Sequence, residues 1–213
     1  MDIVNEKSNF KTDLIPVDAI ENEATFAKFP GMKTKDQWTT NAPEDTCMDY
    51  VGNSICSIYE FTIKNPNPTT AQTVIGKLNT LTNGSGTKKF THMYYAVFRG
   101  AAASIAGSSA GFNISGEASD TVTVSGTAQT PAAVGTMVVA PTAFDETEDV
   151  WNHTIERLEA NGGSVTYSVL IWLEEADTAQ NDEQGLTLTA GITFTSDVGG
   201  DTGGVTGVLV AGN

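Results

Sequence analysis

The stretch "TYSVLIWLEEADTAQNDEQGLTLTAGITFTS", residues 166–196, decides the fold. It begins with an almost unbroken apolar run, continues through a loop crowded with Asp, Glu, Asn and Gln, and ends in Thr alternating with apolar residues. A short apolar run bounded by turn residues is typical of a buried β-strand, and alternation is typical of a strand with one wet face. We therefore predict two core strands joined by an acidic, water-facing hairpin turn.

The same strand pattern recurs along the chain, because short runs rich in Val, Ile, Thr, Tyr and Phe are separated by Gly, Asn, Asp and Pro clusters. Predicted strands cover residues 55–64, 72–80, 91–99, 121–127, 136–140, 165–174 and 186–196. The stretch from residue 146 fits either a short helix that begins at Glu146 or a strand at residues 153–158, and we favour the strand, which would form a hairpin through Asn161-Gly162. This spacing predicts an all-β fold, a jelly-roll-like antiparallel β-sandwich with an extended N-terminal arm.

The two ends of the chain differ from the middle. We predict an N-terminal arm at residues 1–22, a β-sandwich domain at 23–198, and a Gly-rich lead with an apolar strand at 199–213. Pro16 lacks an N–H group, so the arm is an edge segment rather than a central strand. We expect residues 9–21 to lie outside their own sandwich and to pair with a neighbouring copy, with the strand at 205–210 as rival donor. The donated apolar side chains are Phe10, Leu14, Ile15, Val17 and Ile20.

The charge balance restricts the partners. The chain carries 26 acidic and 11 basic residues, a net charge of −15, which would repel nucleic-acid phosphates rather than neutralise them. No apolar run approaches the roughly 20 residues that a membrane-spanning helix needs, so we predict no membrane insertion. The opening "MDIVNEKSNF" lacks the features of a signal peptide. The protein is therefore either cytosolic or numbered from a processed end.

Two kinds of modification depend on export. Cys47 and Cys56 flank a loop containing Gly-Asn-Ser, and in an exported protein we predict that they form a local disulfide. In a cytosolic protein they would be two buried thiols. Neither cysteine has the spacing of a zinc site. Three Asn-x-Ser/Thr sequons are candidates for glycosylation: Asn83, Asn113 and Asn152.

The motifs of the common hydrolases are missing from the sequence, so we predict no enzymatic activity. His92 and His153 are its only histidines, and no His-Glu-x-x-His motif occurs. We expect His92 to be a strand residue with a half-buried ring. The letters "GSSAG" at residues 107–111 match a nucleophile elbow, but the strand and helix that an elbow requires are not predicted around them.

Calcium is the one cofactor that the acidic loop leaves open. Its candidate ligands are Asp177, Asp182 and Glu183, although their spacing is not that of an EF-hand. We favour the simpler interpretation, in which these side chains solvate a turn beyond a buried strand.

Several stretches resemble the TasA/camelysin family of exported β-sandwich proteins. The most specific is "SVTYSVLIWLEEADTAQNDEQGLTLTAGITF", where a Tyr-containing apolar strand ends in an Ile-Trp-Leu-Glu-Glu signature and a polar loop follows. The segments "IYEFTIKNPNPTTAQTVIGKLNT", "FTHMYYAVFRG" and "ATFAKF" are similar to further family blocks, and together the four cover about a third of the chain. The signature residues are Tyr167, Ile171, Trp172, Leu173, Glu174 and Glu175.

The resemblance implies a structural subunit of an extracellular filament, either a pilus or a biofilm-matrix fibre. Family members link their subunits by donating an N-terminal strand to the next copy, so the implied partner is a second copy of the chain. Two alternatives stay open from the sequence. One is a calcium-dependent binding module or a hydrolase of the same fold, and the other is a viral jelly-roll structural protein.

Overall fold

The computed structural model describes residues 2–9, 14–17, 54–100, 137–144, 149–196, 202–205 and 211–212. Their regular structure consists of β-strands and one short 3-10 turn, Asn181–Glu183, with no α-helix within these ranges. The strands are β1 Asp2–Asn9, β2 Ser57–Lys64, β3 Gln72–Asn83, β4 Met93–Arg99, β5 Met137–Ala143, β6 Asp149–Leu158, β7 Ser164–Leu173, β8 Thr187–Ser196, β9 Thr202–Val205 and β10 Ala211–Gly212.

These strands form two sheets. The first sheet has the order β1-β2-β7-β4-β5, and the second has the order β10-β8-β3-β6, with β9 also paired to β8. All of these strand pairs are antiparallel. The predicted all-β antiparallel sandwich is therefore confirmed, while its jelly-roll connectivity stays a prediction.

The hydrophobic core lies between the sheets and is built mainly by the inner face of the first sheet. Alternate residues of β7 point into it, as the two-residue period of a strand requires. Aromatic rings fill much of its volume, and the ring centroids of Tyr59 and Phe61 lie 5.3 Å apart. Strands β2, β4 and β7 contribute Tyr59, Phe61, Ile63, Met93, Tyr95, Val97, Val165, Tyr167, Val169, Ile171 and Leu173.

The C-terminal part of β7 and its neighbour β4 also bury residues on the outer face of the first sheet. Leu170 and Trp172 alternate with the core residues of β7, so they point away from the core, and both are fully buried. Ala96 and Phe98 of β4 are buried in the same way. The polar Ser168 is tolerated there because its hydroxyl donates to Gly100 O at 2.8 Å. Burial on both faces explains why this part of the sequence is apolar without alternation.

Two predicted hairpins are wrong, although the strands that form them are correct. Residues 149–158 are a strand and not a helix, but β6 pairs with β3, whereas β7 pairs with β2 and β4. The Asn161-Gly162 turn, with φ of 60° and 97°, therefore connects the two sheets. The acidic loop between β7 and β8 crosses between sheets in the same manner. Turn residues report that the chain reverses, and they do not specify which strand it pairs with next.

The ends of the chain also differ from the expected boundaries. Residues 2–9, assigned to the arm, form β1 at the edge of the first sheet, where they satisfy the backbone groups of β2. Residues 14–17 lie on their own sandwich rather than outside it, because an apolar segment is driven to bury its side chains on the nearest dry surface. Phe10 and Ile20 lie outside the described residues. At the C-terminus, β9 and β10 pair with β8, and residues 206–210 of the predicted strand are outside the described ranges.

Asn65 organises the turn that follows β2. Its Nδ2 donates to Thr70 O at 2.9 Å, Glu159 O at 3.1 Å and Leu158 O at 3.2 Å. Its Oδ1 accepts from Asn67 N at 3.0 Å. The side chain is fully buried, so its amide group satisfies carbonyl groups at the end of β6 that water does not reach.

We expect Asn65→Ala to lower the free energy of unfolding by about 2 kcal/mol, since it leaves buried backbone groups without partners. Asn181→Ala, at an exposed asparagine of the acidic loop, is the matched control and should change it by less than about 0.5 kcal/mol. Urea denaturation followed by tryptophan fluorescence measures both. Equal midpoints for the two variants would contradict the structural role of Asn65.

Candidate functional site

The candidate site lies where β7 ends, because the N-terminal arm meets the sandwich there. Val17 N donates to Leu173 O, and Glu175 N donates to Val17 O, both at 2.9 Å. These two bonds make a parallel bridge between Val17 and Glu174. Ile15 N donates to Ser54 O at 3.0 Å. We call Ser54 and residues 173–175 the arm seat.

The sequence of residues 14–17 suits this position. Leu14 is 1% exposed and belongs to the core, and Val17 is 7% exposed. Pro16 falls between two donating residues, at the position that contributes no N–H to the pairing, so its missing donor costs nothing there. Burial of the Leu and Val side chains stabilises the seated arm by about 3–6 kcal/mol before ordering costs are subtracted.

Beyond the seat, the acidic loop is held against the start of β4. Glu174 N donates to His92 O at 2.8 Å, and Gln180 Nε2 donates to Glu174 O at 2.8 Å. The indole Nε1 of Trp172 donates to Glu174 Oε2 at 2.7 Å. We call residues 174–183 the crossover loop.

Glu183 is the buried residue of this loop, which the sequence did not predict. It is 4% exposed, and its Oε1 accepts from Thr91 Oγ at 2.7 Å and lies 2.5 Å from His92 Nδ1. Its Oε2 is buried with no hydrogen-bond partner. A buried carboxylate is tolerated only with charged or hydrogen-bonding partners, so Thr91 and His92 are required for this arrangement. The expectation that Glu183 solvates a turn is wrong.

The geometry of these three residues is not that of a catalytic triad. In a triad the histidine uses one ring nitrogen for the nucleophile and the other for the carboxylate. Here Thr91 Oγ lies 3.0 Å from Nδ1, the same nitrogen that faces Glu183. The His92 side chain is 35% exposed, so its ring is half buried as expected, although it immediately precedes β4. The arrangement is suited to holding the loop in place.

The structure does not bring the three predicted calcium ligands together at one place. Asp177 is exposed, and Asp182 pairs with Lys88 at 3.1 Å, with side-chain exposures of 91% and 57%. Glu183 instead faces His92. Within the ranges that the structure describes, no group of three or more His, Cys, Asp or Glu side chains is placed to hold a metal ion.

The first glycosylation candidate, Asn83, is unsuitable in the folded chain. It is 8% exposed, its Nδ2 donates to Phe90 O at 2.9 Å, and its Oδ1 accepts from Phe90 N at 2.8 Å. The nitrogen that would carry the sugar is therefore already committed to the loop between β3 and β4. Asn113 lies outside the described residues, and Asn152 lies on β6 with its side chain outside the description. Both stay predictions.

Comparison with known proteins identifies no relative: no family model matches the chain, and neither a curated protein nor a solved structure is significantly similar to it. In the part of the chain that the structure describes, no helix is long and apolar enough to cross a membrane.

The disulfide prediction is open to a direct measurement. Cys56 is fully buried and is not a free thiol, and Cys47 lies outside the described residues. We expect mass spectrometry of unreduced peptides to find Cys47 linked to Cys56. Closing so short a loop should stabilise the protein by about 2–3 kcal/mol, so reduction should lower the unfolding midpoint. Two alkylatable thiols in protein purified under oxidising conditions would contradict the prediction.

Proposed function

We propose that the protein is a structural subunit of an extracellular filament, in which each copy donates its N-terminal segment to the next. The observation that supports this most directly is the position of residues 14–17. They precede the residues that build the sandwich in sequence. They nevertheless contribute Leu14 to its core and occupy the arm seat. The same segment of a second copy offers the same side chains and backbone groups.

The chain length between arm and sandwich allows such an exchange. Residues 18–46 separate Val17 from Cys47, which the predicted disulfide ties to Cys56, and they number 29 residues (46 − 17). At about 3.3 Å per extended residue, 29 residues reach at most about 95 Å, well beyond the diameter of a domain of this size. Transfer of the arm to a neighbour therefore requires no stretching of the connection.

The energetic balance favours exchange when copies are concentrated. The closed chain and the exchanged filament contain the same seat contacts, so their difference depends on the effective concentration of the arm at its own seat. A net charge of −15 makes copies repel one another, and salt screens this repulsion. Assembly should thus be faster at physiological ionic strength than in dilute buffer.

The remaining parts of the proposal are a jelly-roll form of the sandwich, export to the cell surface and self-association as the only partnership. The acidic surface disfavours nucleic acid as a partner. The calcium-dependent module and the hydrolase gain no support from the geometry, because Asp182 and Glu183 are each paired with a side chain of the 88–92 loop. The viral structural protein gains no specific observation either.

Locking the arm on its own seat tests donation. Adjacent strands are about 4.8 Å apart, within the range of about 4.4–6.8 Å that disulfides bridge between Cα atoms, so Val17→Cys with Glu174→Cys should close the chain on itself. We expect the oxidised double variant to stay monomeric in negative-stain microscopy and sedimentation. Reduction should restore fibres, and wild-type protein treated identically controls for the natural cysteines.

Mixing the two single variants gives the complementary result. Fibres grown from equal amounts of Val17→Cys and Glu174→Cys chains should yield covalent dimers on a denaturing gel after oxidation, because the arm of one copy meets the seat of another. If the locked chain polymerises as fast as wild type and the mixture gives no dimers, N-terminal donation is wrong. The strand predicted at residues 205–210 then becomes the candidate donor.

A further inference from the structure

We propose that the crossover loop is a strap that holds the arm on its own seat. The contact of Glu183 with His92 and Thr91 would keep this strap closed. The strap would set how readily a single chain releases residues 14–17. Its biological meaning rests on the filament proposal, since release of the arm is what donation requires. Its physical operation concerns one chain and can be measured without fibres.

His92 closes the strap at both ends. Its carbonyl oxygen accepts from Glu174 N at 2.8 Å, at the first residue of the loop. Its ring contacts the carboxylate of Glu183 at the last residue. One residue before β4 therefore fixes both ends of the crossover loop, and Glu175, which binds Val17, lies between them.

Gln180 links Glu183 to the beginning of the crossover loop by hydrogen bonds. Its carbonyl accepts from Glu183 N at 2.9 Å, and its Nε2 donates to Glu174 O at 2.8 Å. Its Oε1 accepts from Ala176 N at 3.3 Å. Hydrogen bonds thus run without interruption from Glu183 to both neighbours of Glu175, and a displaced Glu183 frees the residues that hold Val17.

Glu183 is suited to keeping the strap closed because its burial depends on few partners. Both hydrogen-bonding side chains address Oε1, while Oε2 is buried without a partner. Loss of one partner leaves a poorly compensated buried carboxylate, which favours moving that group to water. In this proposal the loop exchanges between the closed arrangement of the structure and a released one in which the Glu183 carboxylate is in water.

Hydrogen exchange of single amides tests the strap in the full chain. In Glu183→Gln we expect the amide protons of Val17 and Glu175 to exchange about tenfold faster than in wild type, as loss of a charge-assisted anchor implies. Asp182→Asn is the matched control, because it removes one negative charge from the adjacent, exposed position of the same loop. It should leave both rates within about twofold of wild type.

An internal reference distinguishes local release from general loosening. Asn65 N donates to Gly163 O at 2.8 Å at the opposite end of β7, so its exchange should not change. If Glu183→Gln accelerates all three amides equally, Thr91→Ala decides, since it removes one exposed partner and keeps the charge. Faster exchange at Val17 and Glu175 alone in Thr91→Ala supports the strap, and unchanged or uniform exchange overturns it.

The strap and the filament proposal fail separately. Faster exchange in Glu183→Gln without fibres under any condition in which arm donation is tested would leave the strap standing and reject the filament. Normal fibre growth with unchanged amide exchange would reject the strap alone. When both hold, Glu183→Gln should shorten the lag of fibre growth, and Asp182→Asn should not.

Discussion

Strand β7 has to be paired on both edges and dry on both faces over most of its length, and the rest of the structure is arranged around that requirement. Its edges are satisfied by β2 and β4, which reach it from distant parts of the chain. Its inner face supplies the core, and its outer face buries Leu170 and Trp172 completely. Water can reach this strand only at its two ends. One end carries the Asn65 turn, and the other carries the arm seat and the crossover loop.

The strands themselves could be predicted from the sequence, because their signal is local. Alternation and β-branched composition located β2, β3, β4, β7 and β8 to within a few residues. Which strands are neighbours could not be predicted in the same way. Asn161-Gly162 indicates a tight reversal equally well whether the next strand joins the same sheet or the facing one. That choice depends on which long-range pairs bury the most surface, and periodicity carries no information about it.

The polar residues of the site show the same limit. Glu183 and Asn83 both belong to stretches with the composition of soluble turns, and both are buried. Each is held by partners that the local sequence does not mark, since His92 lies 91 residues before Glu183, and Phe90 binds Asn83 only through its backbone. In contrast, the position of Pro16 follows from an intrinsic property of the residue, because its missing N–H suits the place between Ile15 and Val17 where the arm donates nothing to the seat.

The pairing of β7 also dictates the order in which the protein can acquire its fold. Thr62 of β2 and Thr166 of β7 share a hydrogen bond across 104 residues, so the centre of the first sheet can close only after about four fifths of the chain is available. Folding with such distant partners is slow, because loop closure precedes the gain from contact. During synthesis β2 and β4 are therefore made before β7, the strand that pairs with both of them. The apolar faces of both strands are exposed to water during that interval, so the chain is most prone to aggregation while it is being made.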